Sequence, residues 1–290
     1  MSKPFKDLTI KDAFMFAAVM VNPDKCGPFL EMVLDMEIVD LQVITEKTMV
    51  YHPQYHGIRL DVLAEERGRK RRFNIEMQVK SEMDLPKRSR YYHSQLDMDA
   101  LLSGKRYGEL PDTYVIFICD FPLSKKPLYK YSYHSVCSEN GEYLEDGRIT
   151  IFLSTCGENE AEVPKELVDF LKYVKNPGES PETEKRDSYE ASVERQVQRI
   201  KRDREMEAQY MMLEEMLKDE REAGRKEGLK IGRLEGEEHE ERTMELVSVL
   251  MNQGRHEDLK RCLEDRAFRE ELLEQLGIKG KEKRGSYTED

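Results

Sequence analysis

The spacing of apolar residues alternates along the chain between a helical period and a strand period. Apolar positions three or four residues apart predict helices at 9–20, 29–36, 87–103 and 163–174. Alternating or continuous β-branched and aromatic runs predict strands at 41–50, 60–65, 72–80, 113–121, 129–136 and 149–154. The run at 113–121 is almost wholly apolar, which is typical of a buried central strand. This order of elements predicts an α/β fold, with a mixed sheet flanked by helices, over residues 1–175.

The chain becomes markedly more charged after this predicted domain. Its pattern predicts a linker at 176–188, a long charged helix at 189–240, a small helical region at 241–279 and a disordered tail at 280–290. The apolar residues expected to form a core in the small helical region are Leu246, Val249, Leu250, Leu259, Leu263, Leu272, Leu273 and Leu276. Two apolar runs in the long helix, at 193–200 and 206–217, are short and out of phase, so they indicate at most a short coiled coil.

Four glycines recur every fourth residue in the long helix, at positions 224, 228, 232 and 236. Glycine costs about 1 kcal/mol in a helix interior, so an isolated helix is weakened there. Either a neighbouring helix packs closely on these glycines, or the segment is a hinge. The surroundings are charged, which excludes a membrane dimer motif.

Charge and composition narrow the function classes. The net charge is −12, with −5 in residues 1–180 and −7 in the remainder, which argues against strong nonspecific DNA binding, although residues 67–72 and 87–90 are locally basic. No stretch approaches the roughly 20 apolar residues of a membrane span, and the N-terminus lacks an apolar signal region. Five dispersed cysteines without C-x-x-C spacing indicate reduced thiols in a cytoplasmic protein.

Residues 59–80 have the pattern of a β-hairpin that brings two carboxylates together. If Gly68 and Arg69 form a two-residue loop, Asp61 lies directly opposite Glu76. Glycine can open such a loop because it adopts a positive φ at little cost.

Gln78 falls on the same face as these two carboxylates, because side chains alternate along a strand. The apolar residues of the two arms are expected on the opposite face, at Leu60, Val62, Phe73, Ile75, Met77 and Val79. Directly paired side chains have Cβ atoms about 5 Å apart, and two such carboxylates repel each other unless a proton or a cation lies between them. The pattern therefore indicates either a divalent-metal site or an ordinary polar strand face.

The spacing of Asp61, Glu76 and Gln78 resembles the motif of the PD-(D/E)xK nuclease superfamily, with Gln where that superfamily usually has Lys. The E-x-Q variant resembles the Rpn family of recombination-promoting nucleases and putative transposases. Further motifs that resemble this family are K-D-A-F at 11–14, R-S-R-Y-Y at 88–92, G-K-R-Y-G-E-L at 104–110 and C-D-F at 119–121. The resemblance covers about residues 5–175, and the charged C-terminal region is also typical of the family.

The resemblance implies a restriction-endonuclease-like domain that cleaves DNA with Mg²⁺, or with Mn²⁺, and promotes recombination. Asp61 and Glu76 are the expected metal ligands, and the backbone carbonyl of Met77 is a further one. Gln78 occupies the catalytic position of the usual Lys, where it can orient a water but carries no charge. Lys80 is the candidate replacement for the missing positive charge.

Other polar residues have a functional and a structural interpretation. Asp12 is either a third acidic ligand or a negative charge at a helix N-terminus. Lys87, Arg88, Arg90 and Tyr91 either contact nucleic acid or form a solvated helix face with packed aromatics.

Three functions follow from these patterns. The first is a Mg²⁺-dependent DNA endonuclease, paired into a homo-oligomer through its C-terminal helical region. The second is a catalytically degenerate nuclease fold that serves as an oligomeric scaffold, which the Lys-to-Gln change and the acidic charge would suit. The third is a junction-resolving or transposition-associated enzyme with the same core.

Overall fold

The computed structural model describes residues 3–49, 58–81, 83–178 and 187–278. The chain divides into two compact units, Met1–Met211 and Met212–Asp290. Most of the predicted linker and the whole of the predicted tail lie outside the described residues.

The first unit is built on a mixed β-sheet. Its described strands are β1 Leu41–Met49, β2 Ile58–Glu66, β3 Arg71–Gln78, β4 Asp112–Cys119, β5 Lys130–Tyr133 and β6 Arg148–Ser154. They lie in the order β1-β2-β3-β4-β6-β5, in which β3, β4 and β6 are parallel and the other neighbours are antiparallel. The predicted α/β fold with a mixed sheet is confirmed, and the apolar run that predicted a central strand forms β4.

Helices cover both faces of this sheet. The described α-helices are α1 Ala13–Met20, α2 Pro23–Leu34, α3 Leu85–Ala100, α4 Lys165–Lys175, α5 Tyr189–Ile200, α6 Arg204–Asn252, α7 His256–Glu264 and α8 Arg266–Gln275. Helix α3 packs on one face of the sheet, in a cluster centred on the aromatic and aliphatic side chains of β4 and β6. Helices α1, α2, α4 and α5 pack in the larger cluster on the other face.

Two helices begin at residues other than those where their apolar periodicity begins. Helix α1 starts at Ala13, after the carboxylate of Asp12 has accepted the backbone N–H of Thr9 at 2.6 Å. Helix α2 starts at Pro23, because the side chain of Asn22 accepts the backbone N–H of Asp24 at 3.0 Å and proline suits a first helical turn. The predicted starts at residues 9 and 29 are therefore wrong.

The single helix predicted over 189–240 is also wrong, because the chain forms two helices there. Helix α5 ends at Ile200 after burying Val193, Val197 and Ile200 in the core of the first unit. Asp203 then accepts the backbone N–H of Glu205 at 2.8 Å, at the start of α6. Helix α6 continues for 49 residues through the four glycines and into the predicted small helical region.

The second unit has a small core of its own between the end of α6, α7 and α8. Its buried residues are Leu246, Leu250, Cys262, Leu272, Leu273 and Ile278. The predicted core position of Leu263 is wrong, since 73% of its surface is exposed. Within the described ranges, no helix combines the length and the apolar character needed to cross a bilayer.

The β2–β3 turn is wider than predicted. Pairing ends at Glu66 and Arg71, so the turn contains the four residues from Arg67 to Lys70. Lys70, with φ +50°, adopts the left-handed conformation that was expected of Gly68. The wider turn brings the guanidinium of Arg69 to 3.0 Å from the carbonyl oxygen of Glu37.

Candidate active site

The β2–β3 hairpin brings Asp61 and Glu76 side by side. Its paired positions follow the predicted register as far as Val62 opposite Ile75, and Asp61 and Glu76 come next on the two strands. The backbone N–H of Asp61 donates to Oε1 of Glu76 at 3.3 Å. The backbone N–H of Met77 donates to Oδ2 of Asp61 at 3.2 Å. Each carboxylate is therefore held by the backbone of the opposite strand.

The alternation of side chains along β2 changes next to Asp61. Val62 packs in the cluster on the α1 side of the sheet, whereas Leu60 and Leu63 both pack in the cluster beneath α3. A regular strand would place Leu60 with Val62, so the prediction that these two residues share a face is wrong. The irregularity adjoins the pair of Val62 and Ile75, where the Asp61 carboxylate reaches the backbone of β3.

Glu76 lies almost completely inside the protein, with 2% of its surface exposed. Burial, followed by repulsion from Asp61, raises the pKa of the Glu76 carboxyl to about 8, while Arg88 opposes this shift. Two adjacent carboxylates in such a place are stable together only when a proton or positive charge offsets their repulsion. The pair therefore has the electrostatic character of a proton- or cation-binding site.

Arg88 of α3 is the cation that contacts Glu76. Its Nη2 donates to Oε2 of Glu76 at 3.1 Å, and its Nη1 donates to Oε1 of Gln78 at 3.1 Å. Its Nε donates to the hydroxyl of Tyr92 at 2.8 Å, and its guanidinium carbon lies 5.6 Å from the centre of the Phe117 ring. Arg88 thus joins α3 to the acidic edge of β3.

Gln78 is held at both ends of its amide. Its Oε1 accepts from Arg88, and its Nε2 donates to the carbonyl oxygen of Lys80 at 2.9 Å. Strand β3 ends at Gln78, so Val79 and Lys80 follow the strand and are exposed, and the predicted core position of Val79 is wrong. Lys80 contributes its carbonyl to this network, whereas the positive charge beside Glu76 comes from Arg88.

Asp12 lies at the start of α1 and is bound by other partners. Its carboxylate accepts from the backbone N–H of Thr9 and forms an ion pair of 2.7 Å with Lys3. Among the side chains of the described ranges, no three His, Cys, Asp or Glu residues form a group that could hold a metal. The structure therefore does not bring Asp12 to the Asp61–Glu76 pair, and its place favours the role of a helix N-terminal charge.

The residues predicted to bind nucleic acid lie in the first two turns of α3. Lys87 and Arg90 are exposed, whereas Tyr91 is half-buried against the cluster beneath the helix. The side chain of Arg88 is 28% exposed and is directed to Glu76. The contact between Arg88 and Glu76 has no signal in the local sequence, because it depends on how α3 crosses the sheet.

The oxygen donors at the pair fit a hard divalent cation. Mg²⁺ is commonly held by one or two protein carboxylates and keeps several waters, and Mn²⁺ also accepts oxygen ligands. Asp61 and Glu76 supply such oxygens, and burial together with the charge of Asp61 raises the pKa of Glu76, so that a bound cation would stabilise its charged form. The carbonyl of Met77, as a further ligand, stays a prediction.

The family described as PD-(D/E)XK nuclease family transposase matches residues 15–227. This range includes the hairpin with Asp61 and Glu76, helix α3 with Arg88, and the first half of α6. The match confirms the resemblance drawn from the spacing of the hairpin residues. No curated protein and no solved structure matches the chain.

Proposed function

The chain belongs to the PD-(D/E)XK nuclease family transposases, and from this premise we propose that it is a metal-dependent DNA endonuclease of the cytoplasm that promotes recombination. The observation that carries the proposal is the Asp61–Glu76 pair, in which a buried carboxyl with a raised pKa lies against a second carboxylate. Nuclease chemistry is the function of the family. The metal, the DNA substrate and the roles of Asp61, Glu76, Met77 and Gln78 are our proposal.

Asp61 and Glu76 would hold Mg²⁺ or Mn²⁺, together with the carbonyl of Met77. A bound divalent cation supplies polarisation of the phosphodiester and a lower pKa for the attacking water. Glu76 must lose its proton to serve as a ligand, and Arg88 lowers the pKa of Glu76 in the folded protein. Gln78, which Arg88 and the carbonyl of Lys80 hold by hydrogen bonds, would stand in for the Lys that is usual in the PD-(D/E)xK superfamily, and it can orient a water through its amide.

Cleavage of supercoiled plasmid tests this proposal. Purified wild-type protein is expected to cut with Mg²⁺ or Mn²⁺ and to be inactive with Ca²⁺ or EDTA. Asp61→Asn and Glu76→Gln remove one metal ligand each with little change in shape, so both are expected to reduce cutting to the EDTA background.

Glu65→Gln is the matched control, because Glu65 lies on the same hairpin but pairs with Arg72 at 3.0 Å. It should retain the wild-type cleavage rate. If metal-dependent cutting persisted in both Asp61→Asn and Glu76→Gln, Asp61 and Glu76 would not be the ligands of the catalytic metal.

A second function is favoured by the hydrogen bonds that Gln78 and Arg88 already make within the protein. Both groups are already paired within the protein, and Gln78 lacks the positive charge of the usual Lys. These contacts suit a nuclease fold that has lost catalysis and serves as an oligomeric scaffold. Divalent-metal binding separates the two functions, because a scaffold has no need for a cation at Asp61 and Glu76.

We also propose that the C-terminal helical region pairs two copies of the chain, so that two sites address both strands of DNA. Helix α6 is 49 residues long, and its exposed apolar residues include Met212, Met216 and Leu234. Light scattering at micromolar concentration should give the mass of a dimer or a larger oligomer. The mass of a single chain would remove this part of the proposal.

A further inference from the structure

A pocket of about 230 Å³ opens between α3 and strands β6 and β5, of which β5 lies at the edge of the sheet. Arg90 of α3, Tyr133 of β5, and Arg148 and Thr150 of β6 contribute to its wall. A water molecule takes about 30 Å³ of liquid volume, so the pocket has room for a phosphate group and part of a nucleoside. The Asp61–Glu76 pair does not line it.

Two guanidinium groups give this pocket its positive charge. Arg90 is exposed and forms no ion pair with any residue that the structure describes. Arg148 donates from Nη2 to the hydroxyl of Ser135 at 3.2 Å, and its Nε lies 3.9 Å from the carboxylate of Asp146. That carboxylate also accepts from the Ser135 hydroxyl at 2.8 Å and from the backbone N–H of Arg148 at 3.1 Å. Asp146 and, through its charge, Asp97 of α3 offset part of the positive charge of Arg148, but neither carboxylate lines the pocket.

The floor of the pocket is polar, rigid and uncharged. His93 is 2% exposed, and its two ring nitrogens lie 2.8 Å from the hydroxyl of Thr113 and 3.0 Å from the hydroxyl of Thr150. Burial, followed by repulsion from Arg148, lowers the pKa of His93 to about 4. The imidazole is thus neutral at ordinary pH, and Arg90 and Arg148 remain the groups that attract an anion.

The sheet register relates this pocket to the Asp61–Glu76 pair. Thr150 is level with Val115 of β4 and Asn74 of β3, two residues before Glu76 and two strands away. With about 3.3 Å per residue and about 4.8 Å between strands, the two Cα atoms are roughly 12 Å apart. One strand of B-form DNA advances about 3.4 Å per nucleotide along the helix axis, so a strand bound at the Asp61–Glu76 pair would reach the pocket within a few nucleotides.

We propose that the pocket between Arg90 and Arg148 binds a nucleotide phosphate of the substrate strand, with the ring of Tyr133 against the adjoining sugar or base. Arginine recognises phosphate through paired N–H donors, and aromatic rings accept bases by stacking. The identification of the ligand as the substrate strand rests on the proposed function. Binding of a nucleotide phosphate in this pocket does not require cleavage.

Binding of defined probes to the full chain in EDTA tests this inference. The probes are thymidine, thymidine 5′-monophosphate, inorganic phosphate and an eight-nucleotide oligothymidylate with or without a 5′-phosphate. Arg90→Gln/Arg148→Gln is expected to weaken binding of the phosphate-bearing probes at least tenfold. The control Lys105→Gln/Lys125→Gln removes two exposed charges of the same unit outside the pocket and should change binding less than twofold.

Tyr133→Ala provides a second variant, since it leaves both arginines in place and removes a side chain that is 54% exposed. It should weaken binding of the nucleotide and leave binding of inorganic phosphate unchanged. Circular dichroism of each variant shows whether the fold is retained.

The probes also distinguish the source of the phosphate. Arginine-dependent binding of the oligonucleotide without a terminal phosphate supports an internal phosphodiester, and binding that needs the 5′-phosphate supports a strand end. The proposal that this pocket binds phosphate would be overturned if the arginine and lysine double variants lost binding equally, or if no probe bound. If the chain binds the probes through the two arginines but cuts no plasmid, the proposed phosphate pocket stands and the proposed nuclease activity does not.

Discussion

Glu76 is the residue whose protonation links the stability of the fold to its proposed chemistry. Its pKa in the folded protein, about 8, lies above the ordinary value of 4.5. The folded chain therefore binds this proton more tightly than the unfolded chain does. The resulting stability is fully present below the unfolded pKa and is lost as the pH rises toward 8.

Glu76→Gln cannot lose this proton, so it provides the comparison. Between about pH 5 and about pH 8, the free energy of unfolding of the wild type should fall relative to that of Glu76→Gln. Urea unfolding in EDTA at constant ionic strength measures the difference. A difference that does not change with pH would show that the Glu76 proton is not held by the fold.

Arg88 supports the same carboxyl by a direct contact. Arg88→Met leaves Glu76 without its cation, and we expect a loss of about 1–3 kcal/mol in the free energy of unfolding. The loss should shrink when Glu76→Gln is also present, which a double-mutant cycle measures. Arg90→Met is the control on the same helix and should stay within about 0.5 kcal/mol of the wild type. Additive losses from Arg88→Met and Glu76→Gln would contradict the contact.

The sequence predicts the Asp61–Glu76 pair because hairpin register follows from local pairing alone. The same reasoning cannot predict the contact of Arg88 with Glu76, since α3 reaches β3 only through tertiary packing. Residue preference alone favours a two-residue loop with glycine in the left-handed conformation at position 68. In the structure Lys70 adopts that conformation instead. Local rules thus identify the acids, whereas the basic partner depends on the fold.

At the scale of elements, the strands of the mixed sheet and its buried central strand follow from the apolar pattern, but the helix boundaries do not. The two out-of-phase apolar runs after residue 189 correspond to two helices, α5 and α6, whose buried residues join the same core cluster. A change of phase within one predicted helix is thus the sequence signal of a break. Asp203 provides the side chain that starts the second helix.

The junction of β5 and β6 depends on a close backbone approach at Gly157. A Cβ added there would lie 2.5 Å from the backbone nitrogen and 2.6 Å from the Cα of Tyr129. Gly157→Ala is therefore expected to lower the free energy of unfolding by about 1–3 kcal/mol, as overpacking does. Gly68→Ala is the control, because a Cβ at Gly68 meets no atom of the described residues within 4 Å. Equal stabilities of the two variants in urea unfolding would contradict this account.

The four glycines of α6 lie in an unbroken helix, and a Cβ added at any of them meets no described atom within 4 Å. Replacing all four by Ala should stabilise an unpartnered helix, by up to about 1 kcal/mol for each glycine. If a helix of a second copy packs on the glycines, the same variant should instead weaken association. Thermal unfolding by circular dichroism, with light scattering on the same sample, distinguishes the two alternatives.

At the scale of the whole molecule, each compact unit has its own buried core. Leu250 is 0% exposed in the second unit, so Leu250→Ala should lower the free energy of unfolding of that unit by about 2–5 kcal/mol. In Leu250→Ala, the rate of hydrogen exchange should rise in α7 and α8, while the protection of the β-sheet stays unchanged. Leu263→Ala, at an exposed position of α7, should change neither the free energy of unfolding nor the rate of hydrogen exchange. Loss of protection in the sheet of Leu250→Ala would show that the units do not unfold separately.

The central claim is that Asp61 and Glu76 hold a divalent cation, and calorimetric titration of the full chain with Mn²⁺ at about pH 8 tests it without any choice of DNA. The wild type and Glu65→Gln should bind with the same affinity and release a proton, whereas Asp61→Asn and Glu76→Gln should bind at least tenfold more weakly. Equal binding by all four folded proteins, or none by the wild type, would contradict the account and favour the scaffold.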